Sequence, residues 1–168
     1  MPELDLVITG GTVVDATGSR RADVGIRDGM VAAVAEGLTG DRTLDAGGCV
    51  VGPGLVDLHA HLREPGKEEA ETIETGSRAA ARGGFTAVVA MPNTTPAIDS
   101  AGVVREVQAL ARTALCEVQP SAALTVGRAG EQLTPMAELA DLGVRLFTDD
   151  GNGVQDDRLM RRAMEYAT

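Results

Sequence analysis

The stretch Gly52-Pro53-Gly54-Leu55-Val56-Asp57-Leu58-His59-Ala60-His61-Leu62-Arg63-Glu64-Pro65-Gly66 decides how this chain is read. It carries both histidines of the protein, with one residue between them. Side chains alternate between the two faces of a strand. Placing Leu55, Asp57, His59, His61 and Arg63 on one face leaves Val56, Leu58, Ala60 and Leu62 on the other. The second set is wholly apolar and suits a face packed under a helix. The first becomes more polar toward the C-terminal end, where the sites of parallel sheets and barrels lie. Two imidazoles one pleat apart can bind one metal ion, and neutral imidazole is a good ligand for zinc and related ions. A lone histidine is more often a hydrogen-bonded core or loop residue. A pair on a strand, with an aspartate before it and an arginine after it, favours the metal reading.

Downstream of this stretch, strands alternate with helices. Lys67 to Gly84 has acids early, arginines late and two terminal glycines, as expected of a helix whose dipole is complemented and whose end is punctuated. Phe85 to Asn93 reads as a second strand. A helix follows from about Ser100, with Asp99 or Ser100 expected as its N-cap. Glu117 to Gly127 reads as a third, less regular strand. A short helix follows, with Thr134 expected at the N-cap and Pro135 in the first turn. Val144 to Gly151 reads as a fourth strand, and Asp156 to Thr168 as a fourth helix. Alternation of this kind implies βαβ units and a parallel sheet. Four units in a row fit half of a (β/α)8 barrel, with a doubly wound sheet as the alternative. No GxGxxG or P-loop pattern marks a nucleotide site.

Upstream, residues 1–52 read as short strands and glycine turns, with Asp28-Gly29 as a hairpin signal, and suggest a small antiparallel β unit. The expected division is therefore 1–52 and 53–168.

Bulk composition excludes several functions. The 168 residues are 43% hydrophobic and carry a net charge of −10. That charge opposes a nucleic-acid surface and binding to anionic lipid. The two cysteines, Cys49 and Cys116, have no CxxC spacing and read as reduced thiols of a cytoplasmic protein. The N-terminus has no signal-peptide pattern, and no apolar run approaches the ~20 residues of a spanning helix.

A metal site needs three or four protein ligands. With no further histidine, the remaining ligands here are carboxylates or lie outside the chain. The end of the fourth strand offers Asp149 and Asp150. The even positions Val144, Leu146, Thr148 and Asp150 make the more natural inward face, because Arg145 then stays out. Asp-Asp-Gly after a strand is also ordinary turn and capping chemistry.

The segments GPGLVDLHAHLREPG, Glu71 to Pro96 (ETIETGSRAAARGGFTAVVAMPNTTP) and FTDDG resemble those of class I bacterial dihydroorotases, in the amidohydrolase superfamily. The resemblance covers essentially the whole chain. The fold it implies is α/β: the N-terminal part of a TIM-like (β/α)8 metal-dependent hydrolase barrel, preceded by a small β-sandwich segment. The implied reaction is the reversible, zinc-dependent cyclisation of N-carbamoyl-L-aspartate to (S)-dihydroorotate in pyrimidine (UMP) biosynthesis. By the same resemblance His59, His61 and Asp150 bind one or two Zn2+ ions, with Asp150 able to bridge them. Arg63 and Asn93 hold the substrate carboxylate. Two further histidine ligands and a catalytic aspartate come from later strands, beyond Thr168. The chain is therefore expected to be an N-terminal fragment, inactive alone. A homodimer and association with aspartate transcarbamoylase are the partners the resemblance implies.

Two other readings stand beside it. Hydantoinases, dihydropyrimidinases and allantoinases resemble this pattern but use a carboxylated lysine at the fourth strand. The only lysine here is Lys67. A non-catalytic partner of aspartate transcarbamoylase is the other reading, and it gives no reason to keep His59, His61, Arg63, Asn93 and Asp150.

Overall fold

The computed structural model describes residues 3–167 and divides into two compact units, one up to Pro53 and the other from Gly54.

Among the described residues the first unit holds seven short strands: β1 (Leu6–Thr9), β2 (Thr12–Asp15), β3 (Gly18–Arg21), β4 (Asp23–Arg27), β5 (Met30–Ala35), β6 (Arg42–Asp45) and β7 (Val50–Val51). They form two sheets, ordered β5-β4-β1-β6 and β3-β2-β7. Val13 and Val24, from different sheets, pack together with Ala22 in one apolar cluster against Ile8 and Val51. The β4–β5 hairpin turns at Asp28 and Gly29, whose φ values of 52° and 73° suit a tight two-residue turn. The expectation of a wholly antiparallel unit is corrected: β1–β6 and β2–β7 pair in parallel. The chain leaves the first sheet for the second twice in the same direction, through Gly10-Gly11 and through Ala46 to Cys49. A Cβ on Gly11 would sit 2.6 Å from Val51 Cγ2 and 3.2 Å from Ala46 Cβ. Only glycine lets the two crossings run so close together.

The second unit is α/β. Its parallel sheet has the order β10-β9-β8, from β8 (Leu55–Ala60), β9 (Phe85–Ala90) and β10 (Glu117–Pro120). Helices α1 (Ile73–Arg82) and α2 (Ala101–Leu110) connect them, followed by α3 (Met136–Asp141) and α4 (Asp157–Tyr166). Its core includes Ile73, Val88, Ile98, Val104, Val107, Leu139 and Val144.

Several elements differ from expectation, each for a local reason. Helix α1 starts at Ile73, because Thr72 and Thr75 form a reciprocal capping box. Lys67 to Ala70 makes a separate turn ahead of it, closed by the Ala70 N–H donating to the Lys67 carbonyl at 3.0 Å. At α2, Ser100 is the N-cap by backbone geometry without a side-chain bond, while the Asp99 carboxylate accepts the Gly127 N–H at 2.8 Å. Thr134 does not cap α3; its hydroxyl donates to the Ala123 carbonyl at 2.8 Å, and Pro135 takes the N-cap position.

The fourth strand is reduced to one parallel bridge, Ala122 with Phe147. The Ala122 N–H donates to the Leu146 carbonyl and the Thr148 N–H to the Ala122 carbonyl. Two residues on, where the ladder would continue, the Leu124 carbonyl instead accepts the Thr134 N–H at 3.1 Å, and the pairing goes no further.

The apolar face expected on the first strand is only partly covered. Leu62 is buried and Ala60 packs on the core, but Val56 and Leu58 are 57% and 64% exposed. Helix α1 packs over β9 and β10 instead, and β8 pairs with β9 alone among the described residues.

Candidate metal centre

The candidate site collects at the C-terminal ends of the parallel strands. His59 lies in β8 and His61 follows just after its end. Asp57 fixes the approach by accepting the His59 N–H at 2.9 Å. The two rings stand edge to face, with centroids 5.2 Å apart and an interplanar angle of 69°. Asp150 arrives from the loop after the Ala122–Phe147 bridge. One ligand atom from each of His59, His61 and Asp150 lies within 4.8 Å of the others. His59 Nε2 is 3.0 Å from Asp150 Oδ1. Two donors on one tetrahedral zinc, at bond lengths of about 2.0–2.1 Å, lie roughly 3.3 Å apart. Two imidazoles, a carboxylate and an open side therefore suit a zinc-like ion.

Asn93 follows β9, and its Oδ1 lies 3.0 Å from His61 Nδ1. With the proton on Nδ1, His61 donates to Asn93 and keeps its Nε2 lone pair for a metal. This is the outer hydrogen bond that orients most histidine ligands. The side-chain amide of Asn93 still has its N–H donors for a substrate.

Arg63 is half-buried and has a φ of 64°, so strand parity does not extend to it. The guanidinium has no hydrogen bond or ion pair among the described residues, which leaves its planar fork free for an anion. A left-handed arginine costs of order 1–3 kcal/mol and persists where its surroundings hold it. Beyond it, Glu68 accepts the Gly66 N–H at 2.6 Å, and that bond, with one from its own N–H, lowers the Glu68 pKa.

The neighbouring aspartates do different work. Asp149 is 5% exposed; it accepts the Thr125 N–H at 2.9 Å and also the Thr125 hydroxyl. Asp150 turns the other way with a φ of 53°, its N–H donating to the Thr148 hydroxyl at 3.0 Å. Arg128, Thr125 and the structural role of Asp149 were not legible in the sequence. Arg128 Nε and Nη2 donate to the Asp149 carbonyl at 3.1 and 3.0 Å. Arg128 Nη2 also lies 3.7 Å from Asp150 Oδ2. The sole lysine, Lys67, is exposed in the turn before α1. Both cysteines are free, and burial pushes the Cys116 thiol pKa up. No helix among the described residues is long and apolar enough to cross a membrane.

Comparison with known proteins agrees with this architecture. A family model described as Dihydro-orotase-like matches residues 48–168. One described as the urease alpha-subunit N-terminal domain matches residues 2–54. A dihydroorotase of Pelobacter propionicus is 47% identical over 98% of this chain and 40% of its own length. One of Solibacter usitatus is 47% identical over 98% of this chain and 39% of its own. The chain thus spans about two fifths of these relatives. Among solved structures, a D-hydantoinase covers 98% of this chain and 37% of its own at 28% identity, with a TM-score of 0.78. The L-hydantoinase of Arthrobacter aurescens covers 86% and 32% at 25% identity, with a TM-score of 0.73. An N-acyl-D-glutamate deacylase of Bordetella bronchiseptica, solved with zinc and a phosphonate inhibitor, covers 71% and 29% at 26% identity, with a TM-score of 0.52. The α/β unit, with its parallel strands and helical crossovers, is the front part of an amidohydrolase barrel, and the chain belongs to the dihydroorotase-like family.

Proposed function

We propose that this chain supplies the first metal-binding half of a dihydroorotase active site, which interconverts N-carbamoyl-L-aspartate and (S)-dihydroorotate. The observation that carries the reading is the convergence of His59, His61 and Asp150 at the strand ends, with Asn93 behind His61. His59 Nε2, His61 Nε2 and the Asp150 carboxylate would hold the ion, with zinc as the proposed metal. When bound, zinc supplies a hydroxide at neutral pH and polarises the ring carbonyl. The free fork of Arg63 suits the substrate carboxylate, since two parallel N–H bonds give both energy and orientation. The amide N–H of Asn93 adds a donor at the same rim.

The hydantoinase structures favour a second reading, hydrolysis of an uncharged cyclic amide. The chain lacks the lysine that this reading calls for near the site, and Arg63 supports a substrate that carries a carboxylate. The test is hydrolysis of dihydroorotate, hydantoin and dihydrouracil by the zinc-loaded full-length protein. The expected result is turnover of dihydroorotate, abolished by chelation and lowered at least 100-fold by Arg63→Met. Preference for hydantoin or dihydrouracil contradicts the assignment.

A further inference from the structure

Arg128 is the one cation set against Asp150 among the described residues, and its geometry is unusual. Gly127 and Arg128 are both left-handed, with φ values of 60° and 58°. Glycine adopts that conformation freely, whereas arginine does so at a cost that only its surroundings can offset. Those surroundings are visible. Asp99 accepts the Gly127 N–H at 2.8 Å, and Asn152 Nδ2 donates to the Arg128 carbonyl at 3.2 Å. Thr125 bonds Asp149 and also accepts the Gly130 N–H at 2.9 Å. The loop 125–130 is thus tied to the loop 149–152 at several points.

The arginine side chain is 17% exposed and reaches back over the aspartates. Two of its N–H groups grip the Asp149 carbonyl, the peptide oxygen immediately before Asp150. Nη2 faces Asp150 Oδ2 at 3.7 Å, while Asp150 Oδ1 faces His59 at 3.0 Å. The carboxylate therefore has one oxygen turned to the cation and one to His59. Rotating it away from the site would separate Oδ2 from a half-buried guanidinium.

We propose that Arg128 is a positioning residue for the metal centre: it fixes the peptide before Asp150 and turns Oδ1 of that carboxylate toward His59. This rests on the metal-site reading above. A lysine cannot do the same, because a single ammonium has no planar fork to bond the Asp149 carbonyl through two N–H groups while facing Oδ2.

The test is Co2+ binding to the full-length protein, read by its visible absorption, for wild type, Asp150→Ala, Arg128→Met and Arg128→Lys. Arg128→Met keeps the apolar stem and removes the charge and the fork. The expected result is Co2+ affinity 10- to 100-fold below wild type, the range for outer-shell partners of metal ligands. Its visible bands at saturating Co2+ are expected to change in position or intensity, with partial recovery in Arg128→Lys. A purely structural arginine would lower the melting temperature and leave the saturated spectrum unchanged. Wild-type affinity and spectrum in Arg128→Met, with binding lost in Asp150→Ala, overturns the proposal and spares the metal site. No Co2+ uptake by wild type overturns both. If Arg128→Met does not fold, Arg128→Lys decides, and wild-type affinity and spectrum there overturn the proposal.

Discussion

Replacing Asp149 by alanine separates two neighbouring aspartates that the sequence cannot tell apart. Asp149 accepts two hydrogen bonds from Thr125, one from its backbone N–H and one from its hydroxyl. Bonds to a charged acceptor are worth about 1.5–3 kcal/mol each, and a buried donor left unmatched loses the same order. Two such bonds give an upper figure of about 6 kcal/mol. A cavity of about 330 Å³ adjoins Asp149 and Asp150, and water entering there would rehydrate part of the loss. The lower figure, about 3 kcal/mol, is therefore the expected cost. For a chain of 168 residues each kcal/mol shifts the melting temperature by roughly 2–4 °C, so the fall in this chain is about 6–12 °C. Asp150→Ala removes a carboxylate whose partners are the exposed His59 ring and, at 3.7 Å, the Arg128 guanidinium, and its expected cost is about 1 kcal/mol in the metal-free protein. The assay is thermal and urea unfolding of both variants, metal-free and with zinc. Equal losses in the two variants, or a loss below about 1 kcal/mol in Asp149→Ala, would refute the division of labour.

Other expectations follow from single contacts. Asn93→Ala is expected to weaken zinc binding about 10-fold, by competition against a chelator, because His61 loses the acceptor that fixes its tautomer. Gly66→Ala is expected to cost at least about 2 kcal/mol in urea unfolding: its φ is 99°, and a Cβ would lie 2.1 Å from the Thr95 carbonyl oxygen. Gly102→Ala, in α2 with open space around it, is expected to stabilise by about 0.4–1 kcal/mol in the same assay. Asp15 is held well below the usual carboxylate range, first by the Arg20 guanidinium and then by the Thr17 hydroxyl and N–H. A depressed folded-state pKa favours folding above the unfolded value and loses that contribution as pH falls through the folded one. Carboxyl NMR titration is expected to find Asp15 still charged below pH 3.9, and Arg20→Gln to raise its midpoint.

The sequence exposed the parts of the fold that depend on short-range pattern. The HxH stretch was legible because period-two alternation and a run of strand-forming residues sit in one segment. The Asp28-Gly29 hairpin was legible because its turn chemistry is local. Parity left Asp149 and Asp150 open with the even face the more natural, and it is Asp150 that lies beside His59 and His61, on a segment that forms a single bridge rather than a strand. What was hidden depends on distant contacts. The parallel β1–β6 and β2–β7 pairs arise from two crossings that pack against each other at Gly11. The start of α1 at Ile73 depends on a Thr72–Thr75 box, which the preceding acids obscured. Arg128 gave no signal, because its role needs a left-handed backbone and a partner loop more than twenty residues away.

The central claim is that His59, His61 and Asp150 hold one divalent metal ion. Its most direct test is anomalous diffraction at the zinc edge from crystals of the full-length protein grown with zinc. The account predicts a peak about 2.0–2.2 Å from His59 Nε2, His61 Nε2 and an Asp150 carboxylate oxygen. A zinc peak bound elsewhere, or none at this cluster, contradicts it.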